Sequence, residues 1–209
     1  CHYVRWLESE PFDTSGAALS ALQAGQGASE RDAPVAPAMR AAADAAATDP
    51  GPLLRVSPIA VFGASRGDGW VARAAAQDAA LTHAHPAVQQ GSAIFAATLT
   101  RAIRGETDPR ALLIAAQQQA ALLDVHPLVR DALREAGEGG ATGGEALAHV
   151  GHALESAFRA LLSGASFEEA LVTTVGRGGA SHAHATLVGA LLLKFGYADG
   201  LICGTYGMH

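Results

Sequence analysis

Cysteine is nearly absent: Cys1 and Cys203 are the only two in 209 residues, and neither has a CxxC or Cys/His ligand spacing. Neither a disulfide framework nor a zinc finger is therefore indicated, and a reducing cytosol becomes the expected compartment. Clustered positive charge is missing too. The 14 Lys and Arg are scattered among 20 Asp and Glu, for a formal net charge of −6, so the chain carries no electrostatic footprint for nucleic acid or an anionic membrane surface. No apolar run approaches the ~18 residues needed to span a bilayer, and no charged-then-apolar leader opens the chain. The period-two Val/Ile/Thr/aromatic alternation of strands is scarce, which argues against a β fold.

What is present is alanine, glycine and helical periodicity. With 49% hydrophobic residues the chain can bury one sizeable core, and a single all-α domain, a compact multi-helix orthogonal bundle, is expected over residues 1–209. The chain opens at Cys1 rather than at methionine, and "CHYVRWLESEPFD" reads as the middle of a domain, so further residues are expected upstream. Residues 2–9 form a short candidate helix, and "DTSGAALSALQAG" follows with Asp13 or Thr14 placed to cap it. Residues 26–50, rich in Ala and Pro, read as a flexible linker or a weakly packed helix. Beyond them "LLRVSPIAVFG", "GWVARAAAQDAAL", "PAVQQGSAIFAATLTRAIRG", "DPRALLIAAQQQAALL" and "HPLVRDALREAG" carry apolar residues at three- and four-residue spacing. Pro86 and Pro109 suit N1 positions, and Gly105 and Gly137 suit helix ends. "GEGGATGGE" is a flexible connection, since it lacks the P-loop lysine and no strand precedes it. Three helices follow it. Ser166 and Glu169 have capping-box spacing, and the last helix, after Ser181, has an apolar run from Leu187 to Leu193 that predicts a central position with a close crossing at Gly189.

Four segments in order, "YVRWLESEPFDTSGAALSAL", "GPLLRVSPIAVFG", "LTHAHPAVQQGSAIFAATLTRAI" and "SFEEALVTTVGRGGASHAHATLVGALLLKFG", resemble successive segments of the ADP-ribosylglycohydrolase family. The resemblance implies a compact all-α domain with a two-magnesium site that hydrolyses the bond between ADP-ribose and a modified side chain or small acceptor. Within the resemblance, the family's GGDTDT motif is altered: Gly178 and Gly179 match, but Ala180 and His182 stand where the two metal-binding aspartates belong, and Ser181 and Ala183 where threonines do. Magnesium prefers oxygen donors and binds imidazole poorly, so no metal ligand and no cofactor is expected from these residues. The family's NGSLMR loop survives as "PGPLLR", keeping Gly51 and Arg55, while its GDxxG loop and Thr-Asp-Asp run are absent from residues 1–209.

The ligand-binding candidates are therefore His83, His85, Arg55, Gly178, Gly179, Ser181 and His182. By resemblance "LTHAHPAV" lies at the mouth of the cleft, with His83 approaching a ribose; alternatively His83 and His85 cap the next helix or pack in the core. Gly178 and Gly179 suit a binding loop or a helix C-cap, and Arg55 suits a phosphate or a core carboxylate. His149 and His152, three apart, read as a surface pair, and His126 as a structural helix start. If "THAHP" and "GGASHAH" meet across one cleft, four histidines gather there with at most a weakly held anionic ligand. Of three readings, a degenerate relative that binds a small or nucleotide-like ligand, or serves as a structural subunit, ranks first. An active hydrolase cleaving an N- or O-glycosidic ADP-ribose bond, its altered metal site completed by upstream residues, ranks second. New metal chemistry on the two His-Ala-His loops ranks third. Nucleic acid and membrane are not expected partners, while a protein partner or homo-oligomer stays open.

Overall fold

The computed structural model describes residues 2–11, 14–138 and 149–196, and among these the backbone is helical with no β-strand. The helices are α1 (His2–Glu8), α2 (Gly16–Glu30), α3 (Val35–Ala41), α4 (Ser57–Phe62), α5 (Asp68–Ala79), α6 (Pro86–Ile103), α7 (Pro109–Leu122), α8 (Pro127–Glu138), α9 (Val150–Leu162), α10 (Phe167–Gly176) and α11 (Ser181–Gly196). A 3-10 turn at Gly51–Arg55 precedes α4 and another at Gly63–Ser65 follows it. The all-α expectation is met.

Helix boundaries follow local chemistry. Pro86, Pro109 and Pro127 open α6, α7 and α8, where a missing N–H costs nothing. Ser166 and Glu169 make both halves of the capping box. Gly105, at φ 119°, lets the chain leave α6 in a conformation other residues avoid. Two boundaries differ from expectation. Ser15 caps α2 by accepting from the Ala18 amide; Thr14 lies one residue too early, and Asp13 lies outside the described residues. Gly137 continues α8, where a Cβ would come within 3.3 Å of Leu113. Residues 139–148, which hold most of the expected glycine-rich connection, are outside the described residues.

α6 is the central element, with thirteen of its eighteen residues buried and α4, α5, α7, α8, α9 and α11 packed on it. Its buried hydroxyls are satisfied within the helix: Ser92 donates to Val88 O, Thr98 to Ile94 O and Thr100 to Ala96 O. The close crossing is at Gly91, where a Cβ would stand 2.9 Å from Val150 Cγ2 and 3.2 Å from Leu154 Cδ1. That corrects the expectation for α11. Gly189 has its nearest neighbours, Leu171 and Phe167, at 3.7 Å or more, and α11 turns the exposed Thr186 outward. Its apolar run packs on α9 and α10, on the side of α6 rather than at the centre.

Of the two expectations for residues 26–50, a flexible linker or a weakly packed helix, the structure shows helix. This stretch holds the end of α2, all of α3 and the approach to the Gly51–Arg55 turn. Alanine and proline give no visible stripe, but Met39 alone is large enough to seal a second cluster with Ala21 and Leu22, and it is fully buried. An isolated parallel bridge then ties Asp44 to His83, with the Asp44 amide donating to Thr82 O and the Ala84 amide to Asp44 O.

Candidate functional site

The bridge delivers Asp49 to His83 and begins a chain of polar contacts. The carboxylate accepts from His83 Nε2 at 2.9 Å and from the Gly51 amide at 3.1 Å. His83 is fully buried, and its Nδ1 lies 2.8 Å from Thr82 Oγ1. That hydroxyl also accepts from Arg55 Nη2, while its other acceptor, Ala79 O, is 3.5 Å away. The shorter contact directs the hydroxyl proton to His83 Nδ1, so that His83 donates from Nε2 to Asp49. Arg55 donates from Nε to Asp78 Oδ2 and from Nη2 to Asp78 O, and the Tyr3 hydroxyl donates to Asp78 Oδ1. Burial alone would raise the Asp49 carboxyl, but the hydrogen bonds from His83 and the Gly51 amide hold it below its ordinary value. Burial first, and then the Asp78 carboxylate, push the Tyr3 phenol up. The result is one ordered line from Tyr3 to Asp49, whose outer end is a carboxylate 36% exposed.

Sequence reasoning named His83 and Arg55 but missed Asp49, Asp78 and Tyr3. In this arrangement His83 meets Asp49 and Thr82, and Arg55 meets the core carboxylate of Asp78. The "DPG" turn at 49–51, with Asp placed to accept the amide two residues on, was the signal available for Asp49.

The remaining histidines are distributed over helix starts. His85 Nδ1 accepts from the Ala87 amide, His126 Nδ1 from Leu128 and His149 Nδ1 from Gly151, capping α6, α8 and α9. The His85 and His126 rings lie 5.0 Å apart, and those of His149 and His152 4.1 Å apart. His184 is buried with Nδ1 3.5 Å from Ser156 Oγ, whereas His182 is exposed. Of the four histidines expected to gather, His83 therefore pairs with Asp49 and Thr82, His85 caps α6, His184 lies beside Ser156, and His182 is exposed. Burial and then His126 pull His85 below its ordinary value; burial and then His152 and His184 do the same to His149. A protonated ring would turn Nδ1–H against the amide that it caps.

A pH dependence follows. Unfolded histidines bind protons as pH falls through about 6.5, while folded His85 and His149 resist until lower pH, so stability falls as pH drops through that window. Asp49, with its depressed value, stays ionised throughout. In melts between neutral and mildly acidic pH, His85→Ser/His149→Ser, which keeps cap acceptors that do not titrate, is expected to flatten the decline. An unchanged slope would mean that these caps do not carry it.

The loop before α11 is built from backbone. Gly178 and Gly179 have φ of 72° and 64°, a left-handed pair that favours glycine, and the Gly178 amide closes α10 on Val175 O. Gly178 therefore does serve as a turn after the helix. Ala180 O accepts from the amides of Ala183 and His184, placing Ala180 at the N-cap with no side-chain acceptor for the first-turn amides. Ser181 is half-buried and His182 points outward. Magnesium does not fit these side chains: a methyl group supplies no donor and an imidazole is a poor one. Among the described residues no group of three or more His, Cys, Asp or Glu is arranged to hold a metal, and no helix is long and apolar enough to cross a membrane.

Comparisons with known proteins fit this architecture. A solved structure of an ADP-ribosylglycohydrolase-related protein complex superposes with a TM-score of 0.72 at 24% identity, over 93% of this chain and 61% of that one. The likeness carries the fold, and this chain spans about three-fifths of that chain's length. No curated protein matches the sequence. The family model for ADP-ribosylglycohydrolase matches residues 1–195, nearly the whole chain, and the protein therefore belongs to the ADP-ribosylglycohydrolase family.

Proposed function

We propose that this chain is a degenerate member of its family, one that binds a small anionic, nucleotide-like ligand and does not hydrolyse it through magnesium. The observation that carries the reading is Ala180 at the N-cap of α11, with His182 two residues on, where the family's motif places two carboxylates. A two-metal hydrolytic site needs those charges to hold the ions and activate water. Without them the same helix end offers unsatisfied amides and a positive dipole, which suit a phosphate. The Gly178–Gly179 turn keeps side chains clear of the approach. Asp49 faces solvent as an acceptor and suits the hydroxyl groups of a sugar. His83 acts through Asp49, which it orients.

Calorimetry with ADP-ribose, with and without magnesium, tests this. Binding is expected to be metal-independent and to weaken in Gly179→Val, whose side chain would crowd the loop. Magnesium is expected to leave the melting temperature unchanged, whereas an ion at a hundredfold its dissociation constant would stabilise by about 2.7 kcal/mol. Ala180→Asp/His182→Asp should acquire a magnesium response. Magnesium-dependent release of ADP-ribose by the unmodified chain above that of this double variant would overturn the proposal.

A further inference from the structure

α4 and α5 expose an aromatic pair with a cation stacked over both rings. Phe62 is 63% exposed, and its ring centroid lies 6.0 Å from that of Trp70. The Arg66 guanidinium stacks on both rings, 4.5 Å from Phe62 and 4.9 Å from Trp70. Such stacking holds a long side chain in the solvent-facing position and lowers the entropy lost when it is later bound. Next to it Arg101 and Arg104 share the single carboxylate of Asp68 at 2.7 and 2.6 Å. Glu106, which lines the same hollow, accepts from the Asp108 amide. Three arginines thus face two carboxylates, a positive excess on a chain of net charge −6. Tryptophan and arginine are the residue types enriched at the centres of protein interfaces.

The complementary surface is on the same chain. Along α10, Glu168, Val172 and Val175 follow i, i+4, i+7 spacing and therefore share one face. All three are exposed, the valines at 66% and 54%. The stripe offers a carboxylate and two aliphatic side chains, opposite in charge to the guanidinium and apolar like the rings on which it stacks. α10 packs chiefly on α11, whereas α4 and α5 pack on α6, so the two surfaces belong to different parts of one molecule.

We propose that the Phe62–Arg66–Trp70 surface docks the Glu168–Val172–Val175 face of α10 of a second copy of this chain. Because two different patches meet, the contact is head-to-tail, and successive copies add in an open chain or close into a ring. The patches are small beside a standard interface of about 800 Å² per partner, so the association is weak and dependent on concentration. It is independent of any ligand at the α11 loop.

Sedimentation velocity from micromolar to submillimolar protein, at low and high salt, tests the proposal. The weight-average mass is expected to rise about twofold or more at the upper end and to fall back at high salt. Arg66→Glu and Glu168→Arg, both exposed and checked for native melts, should each remain monomeric. Mixing them in equal amounts should restore association, since the carboxylate introduced by the first substitution then meets the guanidinium introduced by the second, while the other junction keeps its natural pair. An unmodified chain that stays monomeric at every concentration, or association that survives both substitutions, or a mixture that remains monomeric, would overturn it. A monomer that instead captures an unrelated acidic protein on this patch would overturn it as well.

Discussion

Phe95→Ala is expected to cost about 3–5 kcal/mol, a large part of the 5–15 kcal/mol that holds a typical domain together. Phe95 is fully buried in the middle of α6 and belongs to the main hydrophobic cluster. Removing its ring takes away apolar burial and leaves a cavity that packed helices close only in part, since α6 is held on several sides. Leu122→Ala is the control. Its side chain is 87% exposed at the end of α7, so its loss should change stability by no more than about 0.5 kcal/mol. Urea titrations read both. Equal midpoints for the two variants would remove α6 from the centre of the fold.

Arg55→Met should be the next most damaging change, at about 2–4 kcal/mol. Arg55 supplies two hydrogen bonds to Asp78 and one to Thr82, and its guanidinium lies 5.3 Å from the Tyr3 ring centre. Methionine keeps much of the stem but strands Asp78, whose side chain is only 12% exposed, with Tyr3 as its remaining side-chain donor. The figure lies below that for a fully buried pair because the Arg55 side chain is 23% exposed and water can take over part of its role. Charge stranding has a signature: Arg55→Met/Asp78→Asn, which removes the orphaned charge, should be more stable than Arg55→Met alone in the same titration. A double variant at least as unstable as the single one would place the cost in lost packing.

Local chemistry was legible wherever it acts within a few residues. Proline at N1, the Ser166–Glu169 pair and apolar spacing at three and four residues announced α6 to α10 because each is settled inside one helical turn. Long-range pairing was not legible. Tyr3 and Asp78 are 75 positions apart and Asp49 and His83 are 34 apart, and nothing in either neighbourhood names the other partner. For residues 26–50 a linker and a weakly packed helix could not be told apart for a related reason: a helix that buries alanines and one methionine shows almost no amphipathic contrast, yet Met39 is fully enclosed. α11 failed in the opposite sense, since an apolar run reports that a helix is buried without reporting which of several helices lies innermost. At the site, the sequence identified the residue types of the loop but could not distribute the histidines. His85, His126 and His149 each serve their own helix start.

The small cluster around Met39 has a kinetic corollary. Cooperative opening scales with shared apolar contact, and α1 to α3 share little with the large cluster beyond Leu81 and a few polar ties. These helices are expected to open together at lower free energy than the whole domain, as weakly coupled units do in hydrogen exchange. Tyr3 rides on that unit and covers the Arg55 guanidinium. During such an excursion Arg55 loses the ring that covers it and Asp78 loses one donor, while the bonds from Arg55 to Asp78 and Thr82 stay with the larger cluster.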